Sequence, residues 1–239
     1  MDINSDMGEG FGVWEMGNDA ELLDFISSTN IACGWHAGDP ARMKQLVELA
    51  VEKGVLIGAH PGLPDLVGFG RREMTITEED AYHYVLYQAS ALQGFARAAG
   101  ATLHHVKPHG ALYNQAVKDI KLARGIARAV KDLGGEVVLY GLAGSCLIEA
   151  AKSLKVPVWQ EVFADRRYTK EGFLVPRTQA GAMIEDESIA LAQVLQMAQK
   201  GEVTAIDGSI IKIQADTLCI HGDNPHAVTF AKKIQEALA

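Results

Sequence analysis

Short apolar runs alternate with longer amphipathic stretches along the whole chain. Runs at 3–5, 30–33, 56–59, 104–107, 137–140, 158–162 and 218–220 have the length of buried strands. The stretches between them carry helix signals. Asp39-Pro40 precedes ARMKQLVELAVEKG, where the Asp caps, the Pro suits the first turn and Gly54 ends the helix. Thr77, followed by Glu78, Glu79 and Asp80, opens a long helix toward Gly100, with acids at the positive end of the dipole. Asp119 opens another that stops at Gly134-Gly135, Gly141–Ser145 leads into a further one, and Asn224-Pro225 starts the last. Alternation of this kind predicts parallel strands joined by crossover helices. An open doubly wound sheet would gather its polar residues at one switch point, whereas here they follow nearly every run. The expectation is an α/β barrel of seven strands in a single domain over 1–239. One segment departs from the rhythm: in 202–213, Asp207-Gly208 between β-branched runs predicts a hairpin inserted ahead of the last strand.

Composition narrows the function classes. The 239 residues are 48% hydrophobic and 22% charged, within the globular range. The net charge of -8 and the absence of a Lys/Arg cluster argue against nucleic acid as a partner. Cys33, Cys146 and Cys219 are widely spaced and form no disulfide framework, which points to a reducing compartment. No signal peptide opens MDINSDMGEG and no run is long enough to span a bilayer, so a cytoplasmic protein with no membrane partner is expected. A homo-oligomer is left open.

The strand ends carry the chemistry. Side chains alternate faces along a strand, so Asn4 and Asp6 share one face of the first. His36 is in phase with Asn30, Ala32 and Gly34, and His60 with Gly58. His105, Lys107 and His109 share a face of the fourth run; Trp159, Glu161, Phe163 and Asp165 share one on the sixth; His221 and Asp223 follow the last. A single such histidine can simply satisfy backbone groups, but five of eight (36, 60, 105, 109 and 221) stand at strand ends. Histidine titrates near neutrality and lysine can be tuned by burial, so acid–base chemistry is available. The other three, His83, His104 and His226, read as surface, out-of-phase and helix-start residues.

Two glycine-rich turns, 7–12 and 141–145, offer backbone N–H groups to an anion or are simply tight barrel turns. Neither is a Walker loop or a full GxGxxG. The loops 65–75 and 165–177 are long, and Arg71, Arg72, Arg166, Arg167 and Arg177 there suit an anionic ligand or the acidic surface.

Six blocks in order, DINSDMGEGFG (2–12), IACGWHAGDP (31–40), GAHPGLPD (58–65), KPHGALYN (107–114), EVFADRRY (161–168) and IHGD (220–223), resemble the LamB/YcsF family over nearly the whole chain. The resemblance implies a distorted seven-stranded (β/α) TIM-like barrel related to the glycoside hydrolase and deacetylase barrels. It also implies that 5-oxoproline is opened to glutamate at the cost of ATP, with Mg, and that separate 5-oxoprolinase subunits B and C are required. Ser5 stands where relatives often carry cysteine, so position 5 is not expected to supply a nucleophile.

A lactam carbonyl is a poor electrophile, and phosphoryl transfer to its oxygen would prepare it for attack by water. That chemistry asks for a cation, a base and an anchor for the substrate carboxylate. Lys107 suits the first role, and His109, His60 or Asp6 the second. An arginine among Arg71, Arg72, Arg166 and Arg167 suits the third. Asn4, His36, Glu161, Asp165, Arg166, Arg167 and His221 are the expected substrate contacts. Lys107 has an alternative as an ion-pair partner of Asp6 or Glu161, and His109 as a cap on the next turn. Two other functions stay open. Asp6, His36 and His60 can hold a divalent ion in a metal-dependent deacetylase or amidohydrolase, or the chain can be a non-catalytic small-molecule binding subunit whose partners transfer phosphate.

Overall fold

The structure, a computed structural model, describes residues 1–14, 19–220 and 227–238. Seven parallel strands close into a barrel in the order β1 (Asp2–Met7), β2 (Ser28–Ala32), β3 (Leu56–His60), β4 (His105–Val106), β5 (Val138–Leu142), β6 (Val158–Phe163) and the final strand, with β7 (Glu202–Thr204) and β8 (Ile210–Lys212) forming a separate antiparallel hairpin before that last strand, β9 (Thr217–Ile220). Closure is made by β1 and β9, where Asn4 lies opposite Cys219 and Ser5 opposite Ile220. The barrel is the one the alternation predicts, and the inserted hairpin lies within 202–213, where Asp207-Gly208 predicts it.

Helices connect the strands: α1 (Asp19–Leu22), α2 (Pro40–Lys53), α3 (Glu78–Ala98), α4 (Gly110–Ala116), α5 (Ile120–Asp132), α6 (Cys146–Leu154), α7 (Glu187–Lys200) and α8 (Ala227–Leu238). The expected caps are in place. Asp39 accepts from the backbone N–H groups of Ala41 and Arg42, Thr77 and Asp80 form a reciprocal capping box, and Asp119 accepts from Lys121 and Leu122. Gly54 ends α2 in the left-handed conformation that a side chain would disfavour. The pattern of apolar residues gives no sign of α4, because strand β4 is only two residues long and the chain turns into a helix straight after His109. The start of α8 expected at Asn224-Pro225 lies outside the described residues.

The barrel interior is polar at mid-height. Asn30 donates to the side chains of Asn4 and Asp6, and Asn4 donates to Thr217. His105 donates through Nε2 to Asn30 Oδ1 at 2.7 Å and stacks on Tyr140. Gly58 makes room for that ring: a Cβ there would stand 2.0 Å from His105 Nε2. Among the described residues, no helix is long and apolar enough to cross a membrane.

Two glycines therefore respond to alanine with opposite signs. Gly58→Ala forces His105 off its bonds and should cost about 1–3 kcal/mol or more, as overpacked cores do. Gly94, in the middle of α3, has open space where its Cβ would be. Gly94→Ala should stabilise by about 0.5–1 kcal/mol through helix propensity. Thermal melts of both variants check the pair.

Candidate active site

Strand ends β1, β3, β4 and β6 and the loops after them enclose a cavity of about 600 Å³ at the carboxyl end of the barrel. Asp6, His60, Lys107 and His109 line it, as the in-phase pattern predicts. Lys107 is the centre of the floor. Its ammonium donates to Asp6 Oδ1 at 2.9 Å and Asn4 Oδ1 at 3.2 Å, pairs with Glu161 Oε1 at 2.8 Å, and lies 3.0 Å from Cys219 Sγ. Burial opposes the charge, but attraction to Asp6, Cys219 and Glu161 holds Lys107 well above the ordinary lysine range. It is a fixed cation. The ion-pair alternative for Lys107 is thus realised, and with both carboxylates at once.

Glu161 is fully buried, and its second oxygen accepts from the hydroxyl of Tyr113 at 2.7 Å. Tyr113 reaches in from α4, one turn after His109, and burial and the Glu161 charge raise its phenol well above the usual range. The alternative role of His109 as a cap is not realised. It occupies the N-cap position of α4, but its side chain makes no capping bond.

Beside the lysine stand three imidazoles. His36 and His109 are stacked face to face at 3.7 Å, and His60 is perpendicular to both. Burial and the neighbouring imidazoles push His36 and His109 well below the ordinary histidine range, so both are neutral near pH 7. Glu9 Oε1 faces the group, 3.4 Å from His109 Nδ1 and 3.5 Å from His36 Nε2. Glu9, His36, His60 and His109 each offer one ligand atom, all within 4.8 Å of one another. The donor group therefore contains Glu9 and His109 where the sequence suggests Asp6. Asp6 instead serves Lys107 and Asn30, though its Oδ2 lies 3.3 Å from His60 Nε2.

Arg71, Lys118, Arg166 and Arg177 also line the cavity, with Arg71 over the Phe69 ring beside His36 and His109. Arg166 is buried and donates through Nη2 to the Val175 carbonyl, while its Nε has no partner among the described residues. Burial and the neighbouring Arg177 depress its guanidinium to about 10, partly offset by Asp165. An anion placed here would relieve both penalties.

Several expected contacts fall elsewhere. Asn4 is buried beneath the floor and His36 behind His109; neither lines the cavity. Arg72 is committed to Asp65, and Arg167 and Asp165 stand outside the lining. His221 and Asp223 lie outside the described residues. The N–H groups of Gly8, Gly12 and Gly144 bond Asp19, Asp39 and Gln160, so those three face protein acceptors. Glu9 escapes the strand-phase argument because Gly8 before it turns the chain at a φ of 71°, and Tyr113 because it sits on a helix. The signal for Tyr113 is its place four residues after His109 on a helix.

A barrel with its polar residues converging on the carboxyl end belongs to the class of (β/α)-barrel proteins that work at that face. Residues 1–239 match the model of the LamB/YcsF family, and the chain belongs to that family. It is 56% identical over 238 residues to the A-type subunit of 5-oxoprolinase from Bordetella pertussis, covering 100% of this chain and 94% of that one. With the A-type 5-oxoprolinase subunit of Bacillus cytotoxicus it shares 52% identity over 98% of this chain and 93% of that relative. The crystal structure of a lactam utilization protein from Thermus thermophilus superposes with a TM-score of 0.93 at 46% identity, covering 99% of this chain and 95% of that protein.

Lys107→Met should leave Asp6 and Glu161 facing each other without their cation. Removing one partner of a buried pair costs about 3–5 kcal/mol, so the melting temperature should fall clearly. Adding Glu161→Gln to Lys107→Met should recover part of that loss. Equal melting temperatures for wild type and Lys107→Met would show that the lysine does not hold the floor together.

Proposed function

We propose that this chain works as the A-type subunit of an ATP-dependent 5-oxoprolinase, opening 5-oxo-L-proline to L-glutamate. One observation carries the reading: a cavity lined both by acid–base groups and by arginines occurs in a chain more than half identical, end to end, to A-type subunits of 5-oxoprolinase. The substrate has matching poles, a lactam to be hydrolysed and a carboxylate to be held.

The roles follow from the geometry. Arg166 is the carboxylate anchor, because its guanidinium is buried with an Nε that no described residue partners, whereas Arg72 is already bonded to Asp65. Lys107 presents a permanent positive charge to the lactam oxygen or to a phosphoryl group placed on it. Phosphoryl transfer from ATP, with Mg, makes the carbon electrophilic, and water then attacks with Asp6, His60 or His109 as base. The ring nitrogen leaves as an amine after taking up a proton, which gives an acyl phosphate, and a second water releases inorganic phosphate to leave the γ-carboxylate of glutamate. Tyr113 and Glu161 position Lys107 from below. The chain has no Walker loop, and subunits B and C are the required partners in this reading. The complex works in the cytoplasm, in keeping with cysteines that form no disulfide.

The deciding experiment measures glutamate release from 5-oxoproline by the chain alone and with subunits B and C, each with and without ATP. Turnover should need ATP and all the subunits. ATP-independent turnover by the chain alone would overturn the reading in favour of a simple amidohydrolase. Within the active complex, Arg166→Met should raise KM for 5-oxoproline roughly ten- to a hundredfold, the value of a charged hydrogen bond. An unchanged KM would remove Arg166 as the anchor.

A further inference from the structure

The hydrogen bonds around His60 and His109 fix which nitrogens carry hydrogen. His60 Nδ1 lies 2.8 Å from the Lys107 carbonyl oxygen, and His109 Nε2 lies 2.8 Å from that of Phe69. A carbonyl oxygen only accepts, so each of those nitrogens is the N–H. The remaining nitrogens, His60 Nε2 and His109 Nδ1, face each other across 2.9 Å. In neutral rings both carry lone pairs, and two lone pairs so close in a buried site call for a positive charge between them.

A proton is one way to supply it. A metal ion fits the surroundings better. Metal-binding histidines commonly donate their second N–H to a backbone carbonyl, as both do here. Metal–nitrogen bonds of about 2.1 Å to two nitrogens this far apart would enclose an angle of about 90°, suited to a five- or six-coordinate ion. Glu9 Oε1 completes the set, 3.4 Å from His109 Nδ1 and 4.0 Å from His60 Nε2. His36 is stacked parallel to His109, so an ion in the plane of one ring lies out of the plane of the other. His36 therefore backs the His109 ring and is not a ligand.

We propose that Glu9, His60 and His109 hold one divalent transition-metal ion, with its open positions toward the cavity. Two imidazoles and a carboxylate suit zinc, manganese or cobalt and not magnesium, which prefers oxygen donors. The site is thus distinct from the Mg that accompanies ATP. Its occupation would leave Asp6 as the base of the reaction. The inference concerns the isolated chain and stands apart from the substrate assigned above.

The test uses the full chain, stripped with a chelator and then titrated separately with Zn²⁺, Mn²⁺, Co²⁺ and Mg²⁺. Calorimetry and thermal melts should show one Zn²⁺, Mn²⁺ or Co²⁺ per chain with a raised melting temperature, and no response to Mg²⁺. Bound Co²⁺ should give visible absorption bands. Glu9→Gln and His109→Asn should each weaken binding by about a hundredfold or more, beyond what loss of an outer-shell partner costs. His36→Phe, which keeps the stack, should bind within a few-fold of wild type. Circular dichroism confirms that each variant is folded. No binding by the folded wild-type chain would overturn the proposal and leave a shared proton between the two histidines. Loss of binding in His36→Phe with retention in His109→Asn would overturn the ligand set.

Discussion

The site depends on one buried cation. Lys107 bridges Asp6 on β1 and Glu161 on β6, and it reaches Asn4 and the Cys219 sulfur, so one ammonium ties together the strands where the barrel closes. Without it, two carboxylates would face each other in a region of low dielectric. With it, Asp6 stays fixed on the cavity wall. Tyr113 saturates the far oxygen of Glu161, so that carboxylate cannot turn away from the lysine. The same contacts give the barrel mouth its rigidity and hold a full positive charge beside the space a substrate would fill.

The imidazoles beside the lysine are held by what is missing around them. A Cβ on Gly62 would stand 2.5 Å from His36 Nδ1. One on Gly70, at a φ of +64°, would stand 2.7 Å from His36 Cβ and 2.8 Å from His109 Cδ2. The stacked rings occupy the room those side chains would take. Carbonyls of Lys107 and Phe69 then orient His60 and His109, so backbone and not side-chain partners fix their tautomers. Rings locked this way keep their reactive nitrogens aimed without reorganisation, which is the condition for electrostatic preorganisation.

The cavity carries charges of both signs. Asp6, Glu9, His60 and His109 line it with Lys107, and so do Arg71, Lys118, Arg166 and Arg177. A small molecule with an anionic end and a reactive amide can meet a guanidinium and an acid–base group in the same space. The long loop after β6 brings Arg166 in, where the Val175 carbonyl takes one of its donors and Gln193 of α7 bonds its own backbone carbonyl. The loop is therefore braced against a helix, so the arginine is held at a set depth.

Sequence alone determined the parallel barrel, the inserted hairpin and the caps of α2, α3 and α5, because those follow from the alternation of runs, from the turn residues Asp207-Gly208 and from local hydrogen bonds of Asp and Thr. It also determined that Asp6, His60, Lys107 and His109 share one mouth, since phase reaches the ends of β1 and β3 and continues past β4 to His109, whose backbone is still extended. Phase stops where the extended backbone stops. Glu9 lies on a loop past β1 and Tyr113 on a helix past β4, so only the tertiary structure could bring the first to the histidines and the second to Glu161. The arginines were equally undecided. Arg72 turns to Asp65, Arg167 stays off the cavity and Arg166 faces into it, because loop packing and not sequence distance sets each direction. The partners of Lys107 were decided the same way: sequence supplied two candidate carboxylates, and closure of the barrel placed both within reach of one ammonium.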